Sequence, residues 1–352
     1  MRLFSRISSL SPRVGKRMSL WSVALLSKET SMIMRRLAAG FILLIVMVVA
    51  DVHVLCAEQQ FVASVITGDL QRYRSAHDAF MKILRAGGMS EDKVKVYVQN
   101  PNPDVMSWAN SIRKAVGGGA DLIITYGAPV TPVAKKEAKG IPLLFADVYD
   151  PVALGIVKDL AVTGGEISGI ASTTPVETLA RTLVDIQAPK TILALFSSSE
   201  QGSLLQEKRM EEQGKKLGFS VIKADIKNRD AAKQAIRDAS GKADAVFITE
   251  SILLCQGLQD LIATAKEHHL PVLTQIPEAG EKGALLTLEA DPIEQGQLLA
   301  VHALQVLGGQ KVFTLPVRTP KKVALVVNMK VAEELGIKVP FQALSLATRV
   351  IK

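Results

Sequence analysis

The chain has 352 residues, enough for two domains of ordinary size, and 48% of them are hydrophobic, so a substantial core is available. Most of its +8 formal charge sits in the leader: residues 1–57 hold eight Lys/Arg and two acids, which leaves 34 basic and 32 acidic residues over 58–352. A body this close to neutrality shows no concentrated basic face, so nucleic-acid binding loses its main electrostatic support.

Within the leader, Arg35-Arg36 precede a 14-residue apolar run, Leu37 to Ala50, and Leu55-Cys56-Ala57 reads as a signal-peptidase site. A membrane-spanning helix needs about 20 apolar residues, whereas a secretory signal carries about 7–15 after a positive patch. The expectation is therefore a signal peptide, a mature protein starting near Glu58 and a periplasmic location, with an uncleaved anchor as the alternative. His53, three residues before Cys56, argues against a lipoprotein. The long polar lead over 1–31 fits a true start at Met32 or Met34, or else an organelle transit peptide. Cys56 leaves with the signal, so Cys255 has no disulfide partner and reads as a small buried apolar residue.

Strands and helices alternate from residue 61 onward. Phe61 to Ile66 reads as a strand, and Arg72 to Arg85 as a helix stopped by Gly87-Gly88. A strand at 93–98, a helix at 103–116 and a near-continuous apolar strand at 121–125 follow. A helix at 129–139 and a strand at 142–145 lead into the turn-rich Val162-Thr163-Gly164-Gly165, read as a hinge approach. The second half gives helices at 176–187, 201–217, 231–239, 258–268, 292–307 and 329–335. Its strands fall at 191–196, 219–224, 245–249, 272–274, 284–288 and 323–327. Ala120-Asp121-Leu122-Ile123-Ile124-Thr125 is echoed by Ala243-Asp244-Ala245-Val246-Phe247-Ile248-Thr249, and a Pro-led apolar strand follows each copy. This half-chain period predicts an α/β protein of two doubly wound parallel-sheet lobes.

In open parallel sheets a ligand binds beyond the carboxyl ends of the strands. That rule selects Thr67-Gly68, Tyr126-Gly127-Ala128-Pro129 and Asp147-Val148-Tyr149-Asp150-Pro151 in the first lobe. In the second it selects Ser197, Ser199, Glu200, Thr249, Glu250 and Gln275. Small residues admit a ligand carboxylate to backbone N–H groups, the acids suit an ammonium, and Tyr126 and Tyr149 suit stacking. Each also has an ordinary reading: helix capping at Ser197 to Ser199, a turn at Tyr126-Gly127, helix entry at Asp150-Pro151, a solvated acid at Glu250. Arg72 and Arg74 leave an anionic ligand open but are read first as exposed helix charges.

Nothing in the chain matches G-x-S-x-G, a phosphate loop or H-E-x-x-H, and Gly117-Gly118-Gly119 precedes a strand where a dinucleotide fingerprint follows one. His268 and His269 point apart on a helix, and His77 and His302 have no acid or Cys at ligand spacing. No catalytic residue, cofactor or metal is expected.

The stretches Asp121 to Pro129, Ile141 to Val157, Ile167 to Ile170, Phe196 to Ser203 and Val327-Asn328 resemble the tryptophan- and tyrosine-binding family of extracytoplasmic substrate-binding proteins of ABC transporters. The likeness covers nearly all of 58–352, and its most specific piece surrounds Asp150-Pro151. It implies a type I periplasmic-binding-protein fold with three hinge crossovers, a small and possibly amino-acid-like ligand between lobes, and hand-over to an ABC permease by a monomer. Lobe one is expected at 58–167 plus about 289–316, and lobe two at 168–288 plus about 317–352. Ala128, Tyr149, Ser197 and Gly202 depart from the Thr and Asn residues usual at those positions, which puts ligand identity in doubt. A periplasmic sensor for a membrane receptor is the first alternative, and a flavodoxin-like enzyme the second.

Overall fold

A computed structural model describes residues 59–352, together with Gly40 as a single helical position. The expected signal peptide, the expected cleavage after Ala57 and the expected start at Met32 or Met34 lie outside the described residues. Two sheets organise the rest. The first takes β1 (Gln60–Ile66), β2 (Val94–Gln99), β3 (Leu122–Tyr126), β4 (Leu143–Val148) and β5 (Ile167–Ala171), in the order β2-β1-β3-β4-β5, all parallel. Helices α1 (Gln71–Ala86), α2 (Val105–Gly117) and α3 (Thr131–Glu137) connect these strands. Strands β3 and β4 are buried along their whole length, because helices cover both faces of the sheet.

The second sheet opens with β6 (Thr191–Phe196), β7 (Ser220–Asp225), β8 (Ala245–Ile248), β9 (Val272–Thr274) and β10 (Leu286–Ala290). Their order, β7-β6-β8-β9-β10, repeats that of the first sheet. The echo between 120–125 and 243–249 thus marks β3 and β8, the third strand of each lobe. Helices α4 (Val176–Ile186), α5 (Gln201–Leu217), α6 (Arg229–Ala239), α7 (Ile252–Gln256) and α8 (Leu258–Glu267) lie between these strands and before them. Side chains of β8 alternate as a strand requires: Phe247 joins Leu179, Leu183 and Met210 on one face, while Val246 and Ile248 join Ile236, Leu261 and Ile262 on the other.

The chain then crosses back. Helix α9 (Pro292–Leu307) belongs to the first lobe and packs along α1. At Gly296 the two backbones nearly touch: a Cβ there would lie 1.9 Å from the Ala76 carbonyl oxygen. Gly296→Ala is therefore expected to destabilise the protein by about 2–3 kcal/mol, read as a lowered urea midpoint with an unchanged slope. A loss below about 0.5 kcal/mol would show that the helices separate freely.

Strand β11 (Val323–Asn328) returns to the second sheet and pairs antiparallel with β10. The reason is connectivity: the chain re-enters from the first lobe at the cleft end, so β11 must run away from it. Helices α10 (Met329–Glu334) and α11 (Phe341–Leu346) lead to β12 (Arg349–Ile351), parallel to β11. The three crossovers hold one another. Arg318 N–H donates to Gly169 O (3.0 Å), Ala171 N–H to Arg318 O (2.8 Å), and Asp291 N–H to Lys322 O (3.1 Å). The lobe boundary expected at 167/168 falls inside β5, a strand of the first sheet. The periodicity reading assigned no element there, nor at α7, α11 and β12.

Candidate functional site

An order of 2-1-3-4-5 leaves a crevice where the connections part, beyond the ends of the first and third strands. Both lobes have this order, and their crevices face each other. The ends of β1 and β3 supply Thr67-Gly68 and Tyr126 to Pro129; the ends of β6 and β8 supply Ser197 to Glu200 and Thr249-Glu250. The lobes meet across this space. Gly68 O accepts from Gln256 Nε2 (2.9 Å), and Arg72 Nη1 donates to Cys255 Sγ (3.0 Å). Gly202, at the start of α5, approaches so closely that a Cβ on it would stand 3.4 Å from Ala128 Cβ. Arg209, two turns further along α5, stacks its guanidinium 5.1 Å from the centre of the Tyr149 ring. It also donates to the Tyr149 hydroxyl (2.9 Å) and pairs with Asp150.

The middle of the cleft is charged. Arg72 and Asp147 are each only 8% exposed, and Arg72 Nε donates to Asp147 Oδ2 at 2.6 Å. Asp147 holds a left-handed backbone (φ 55), and its N–H is fixed by Gln295 Oε1 of α9 at 2.9 Å. A non-glycine residue in that region stores about 1–3 kcal/mol of strain, which persists only where surrounding contacts determine it. From the second lobe comes Glu250, held at both ends by Gln206: its carboxylate accepts from Nε2 (2.6 Å) and its N–H donates to Oε1 (2.7 Å). Burial pushes the Glu250 carboxyl up to about 7, against the pull of Arg72. Burial likewise raises Glu200, whose carboxylate caps α7 by accepting from Ile252 N–H (3.0 Å). Burial pushes the Cys255 thiol up to about 11, which favours its protonated form.

The profile of the ABC transporter substrate-binding protein family matches residues 62–351. This chain belongs to that family. A tyrosine-binding protein of Clostridioides difficile is 27% identical over 256 residues, 72% of this chain and 74% of that one. Among solved structures, a Streptococcus pneumoniae ABC domain in complex with L-Trp superposes with a TM-score of 0.79 at 24% identity, covering 84% of this chain and 100% of its own. The ligand-free, open structure of a Clostridium difficile substrate-binding protein with adhesive properties gives 0.64 at 25% identity, covering 83% and 99%. The two-lobed α/β architecture is that of type I periplasmic-binding-protein-like proteins, and the family is one of solute binders, not enzymes.

In this substrate-binding protein several expected site residues do reach the cleft. Ser197, Ser199 and Glu200 line a cavity of about 460 Å³ together with Trp108, Ile252 and Gln256, so both lobes form its walls. Gly68, Ala128, Tyr149, Asp150 and Glu250 stand at lobe-to-lobe contacts or in the charged centre. Gln275 is 2% exposed and tied through Nε2 to Thr174 O (2.7 Å).

Others do not face the cleft. Tyr126 was expected to stack on a ligand, but its ring is wholly buried in the first-lobe core, with its hydroxyl 3.1 Å from His77 Nδ1 and its ring against Tyr73. Strand alternation decides this: the preceding apolar residues fix which face each side chain takes. Thr249 is likewise internal, its hydroxyl bonded to Leu195 O (3.0 Å) and to Ser203 Oγ (2.6 Å). Thr67 accepts from Trp108 Nε1 (2.7 Å), which fixes the indole beside the cavity. Gly127 serves a turn with positive φ (95) packed on Tyr73, and Pro129 leads into α3. Tyr149 is in place, but Arg209 already occupies its face.

Strand-end position picks out Asp147 and Glu250 among the central charged and polar groups but not Arg72, Gln206 or Arg209. Arg72, first read as an exposed helix charge, is buried; Arg74 is the exposed one, paired with Asp69. Gln206 and Arg209 lie mid-helix in α5, where strand-end reasoning does not look. Their spacing from Gly202, four and seven residues on, is the signal for one helix face. Among the described residues, no group of three or more His, Cys, Asp or Glu is placed to hold a metal ion.

Proposed function

We propose that this chain is the extracytoplasmic solute-binding component of an ABC importer, which grips a small amino-acid-like molecule in the interlobe cleft and closes on it. The observation that carries the reading is that the first lobe's Arg72–Asp147 ion pair and the second lobe's Glu250, hydrogen-bonded by Gln206, share one cleft. Such a pairing suits a molecule bearing both an ammonium and a carboxylate. The relative that binds tyrosine and the neighbour solved with L-Trp support that class. Contacts across the cleft, Gln256 Nε2 to Gly68 O and Arg209 with Asp150, support an apposed arrangement of the lobes.

A ligand drives closure only through its greater affinity for the closed form. Isothermal titration against an amino-acid and small-metabolite panel should find a binder, and scattering with that binder should show a smaller radius of gyration. Binding without compaction would count against closure. Arg35-Arg36 and the apolar run to Ala50 support export. The permease partner would then act in the membrane that the mature chain has crossed. Mass spectrometry of exported protein should recover a chain starting near Glu58.

A further inference from the structure

We infer that the cleft is built for a ligand of net positive charge, an amine or guanidinium whose charge is not cancelled by its own carboxylate, in preference to an electrically neutral aromatic amino acid. The inference rests on the solute-binding reading above and narrows its ligand class.

Six ionisable groups stand at the cleft centre, Arg72, Arg209, Asp147, Asp150, Glu200 and Glu250; Lys227 and Asp104, also on the cavity wall, are engaged with Asp225 and with the Ser107 N–H. Each guanidinium already has its own carboxylate, Arg72 with Asp147 and Arg209 with Asp150. Glu250 and Glu200 feel the charge of Arg72, which Asp147 already pairs, but their own hydrogen bonds come from neutral donors, the Gln206 amide and the Ile252 N–H. Partly buried carboxylates facing neutral donors are undercompensated, and a cation is what completes them. A second observation points the same way. Gln275 is 2% exposed, its amide sits beside Tyr149, and its Oε1 has no hydrogen-bond partner. The leftover groups are therefore acceptors, and a ligand that satisfies them must bring donors. The two tyrosine faces that would take an aromatic ring are less available, since Arg209 covers Tyr149 and Tyr126 is inside the core, which leaves Trp108 as the aromatic side chain on the cavity wall.

The raised Glu250 carboxyl agrees with this. Arg72, Asp147, Tyr149 and Cys255 face it from the first lobe and α7, with Gln206 on its own lobe, and the thiol there is uncharged. A carboxyl raised from 4.5 to about 7 on folding lowers the stability of the unliganded protein as pH rises through that interval. A bound cation reverses the sign, because it needs Glu250 ionised.

The test is calorimetric titration of the full chain with L-arginine, L-lysine and putrescine on one side, and L-tyrosine, L-tryptophan and L-glutamine on the other. At least one cation should bind on the order of tenfold tighter than every neutral amino acid, and its affinity should fall as pH is lowered through Glu250's range. Glu250→Gln should weaken that binding about tenfold while raising the melting temperature of the unliganded protein, opposite signs that a purely structural residue would not give. Glu200→Gln is the second variant should the first fold poorly. Neutral aromatics binding as tightly as the cations, or cation affinity unchanged in both variants, would overturn the inference and leave solute binding standing. No binding by either group would remove both.

Discussion

Asp147→Ala is expected to cost about 3–5 kcal/mol of stability, because it strands the Arg72 guanidinium in a space where only 8% of that residue reaches solvent. The remaining Arg72 contacts, to Cys255 Sγ and the Tyr73 hydroxyl, are neutral acceptors and do not replace a carboxylate. Asp147→Asn should cost less. Asn tolerates the left-handed backbone, and the N–H bond to Gln295 is kept. Replacing both partners by apolar residues of similar size should restore most of the loss, since the penalty lies in the unpaired charge. Urea unfolding of the single and double variants measures all three. A single variant within about 1 kcal/mol of the parent would mean that water reaches Arg72 and that the cleft centre is wet.

Arg209→Ala should open the cleft of the unliganded protein. Arg209 is the cation that the second lobe lends to the first: it stacks on Tyr149, bonds its hydroxyl and pairs with Asp150. The pair is partly solvated, so the ion-pair contribution is discounted and about 1–2 kcal/mol is expected from stacking and hydrogen bonding together. That corresponds to about a tenfold shift toward the open form. Small-angle scattering without ligand should give a larger radius of gyration, and ligand should still compact the variant. Asp150→Ala should reproduce part of the shift, and the two changes together should add less than their sum, as neighbours in one contact do. An unchanged radius in Arg209→Ala would place the closing force elsewhere, at Gly68–Gln256 or the hinge.

The strand-end rule located the cleft from sequence because it depends on topology, and topology depends on the rhythm of apolar strands and Gly-stopped helices. That is why strand-end position points to Gly68, Ala128, Tyr149, Asp150, Ser197, Ser199, Glu200 and Glu250, which the fold brings to the facing strand ends of the two lobes. The same rule carried Tyr126 and Thr249 along with them, since a strand end contributes residues of both faces and only one face meets the cleft. Arg72 shows the opposite error. A Lys or Arg early in a helix is ordinarily solvated, and nothing local marks this one as buried beside a residue 75 positions later. The elements absent from the periodicity reading are short: β12 has three residues and α7 five. Pattern needs length to register.

By itself, then, the chain determined two similar α/β lobes, a cleft at their strand ends and family membership, since these rest on local periodicity and on residues close in sequence. Which charges pair there, and that Arg72 and Arg209 join the acids at the strand ends, was decided by tertiary structure. Arg72, Asp147, Arg209 and Glu250 come from two lobes and four separate segments, and their burial, pairing and shifted proton affinities arise only when the lobes exclude the water between them.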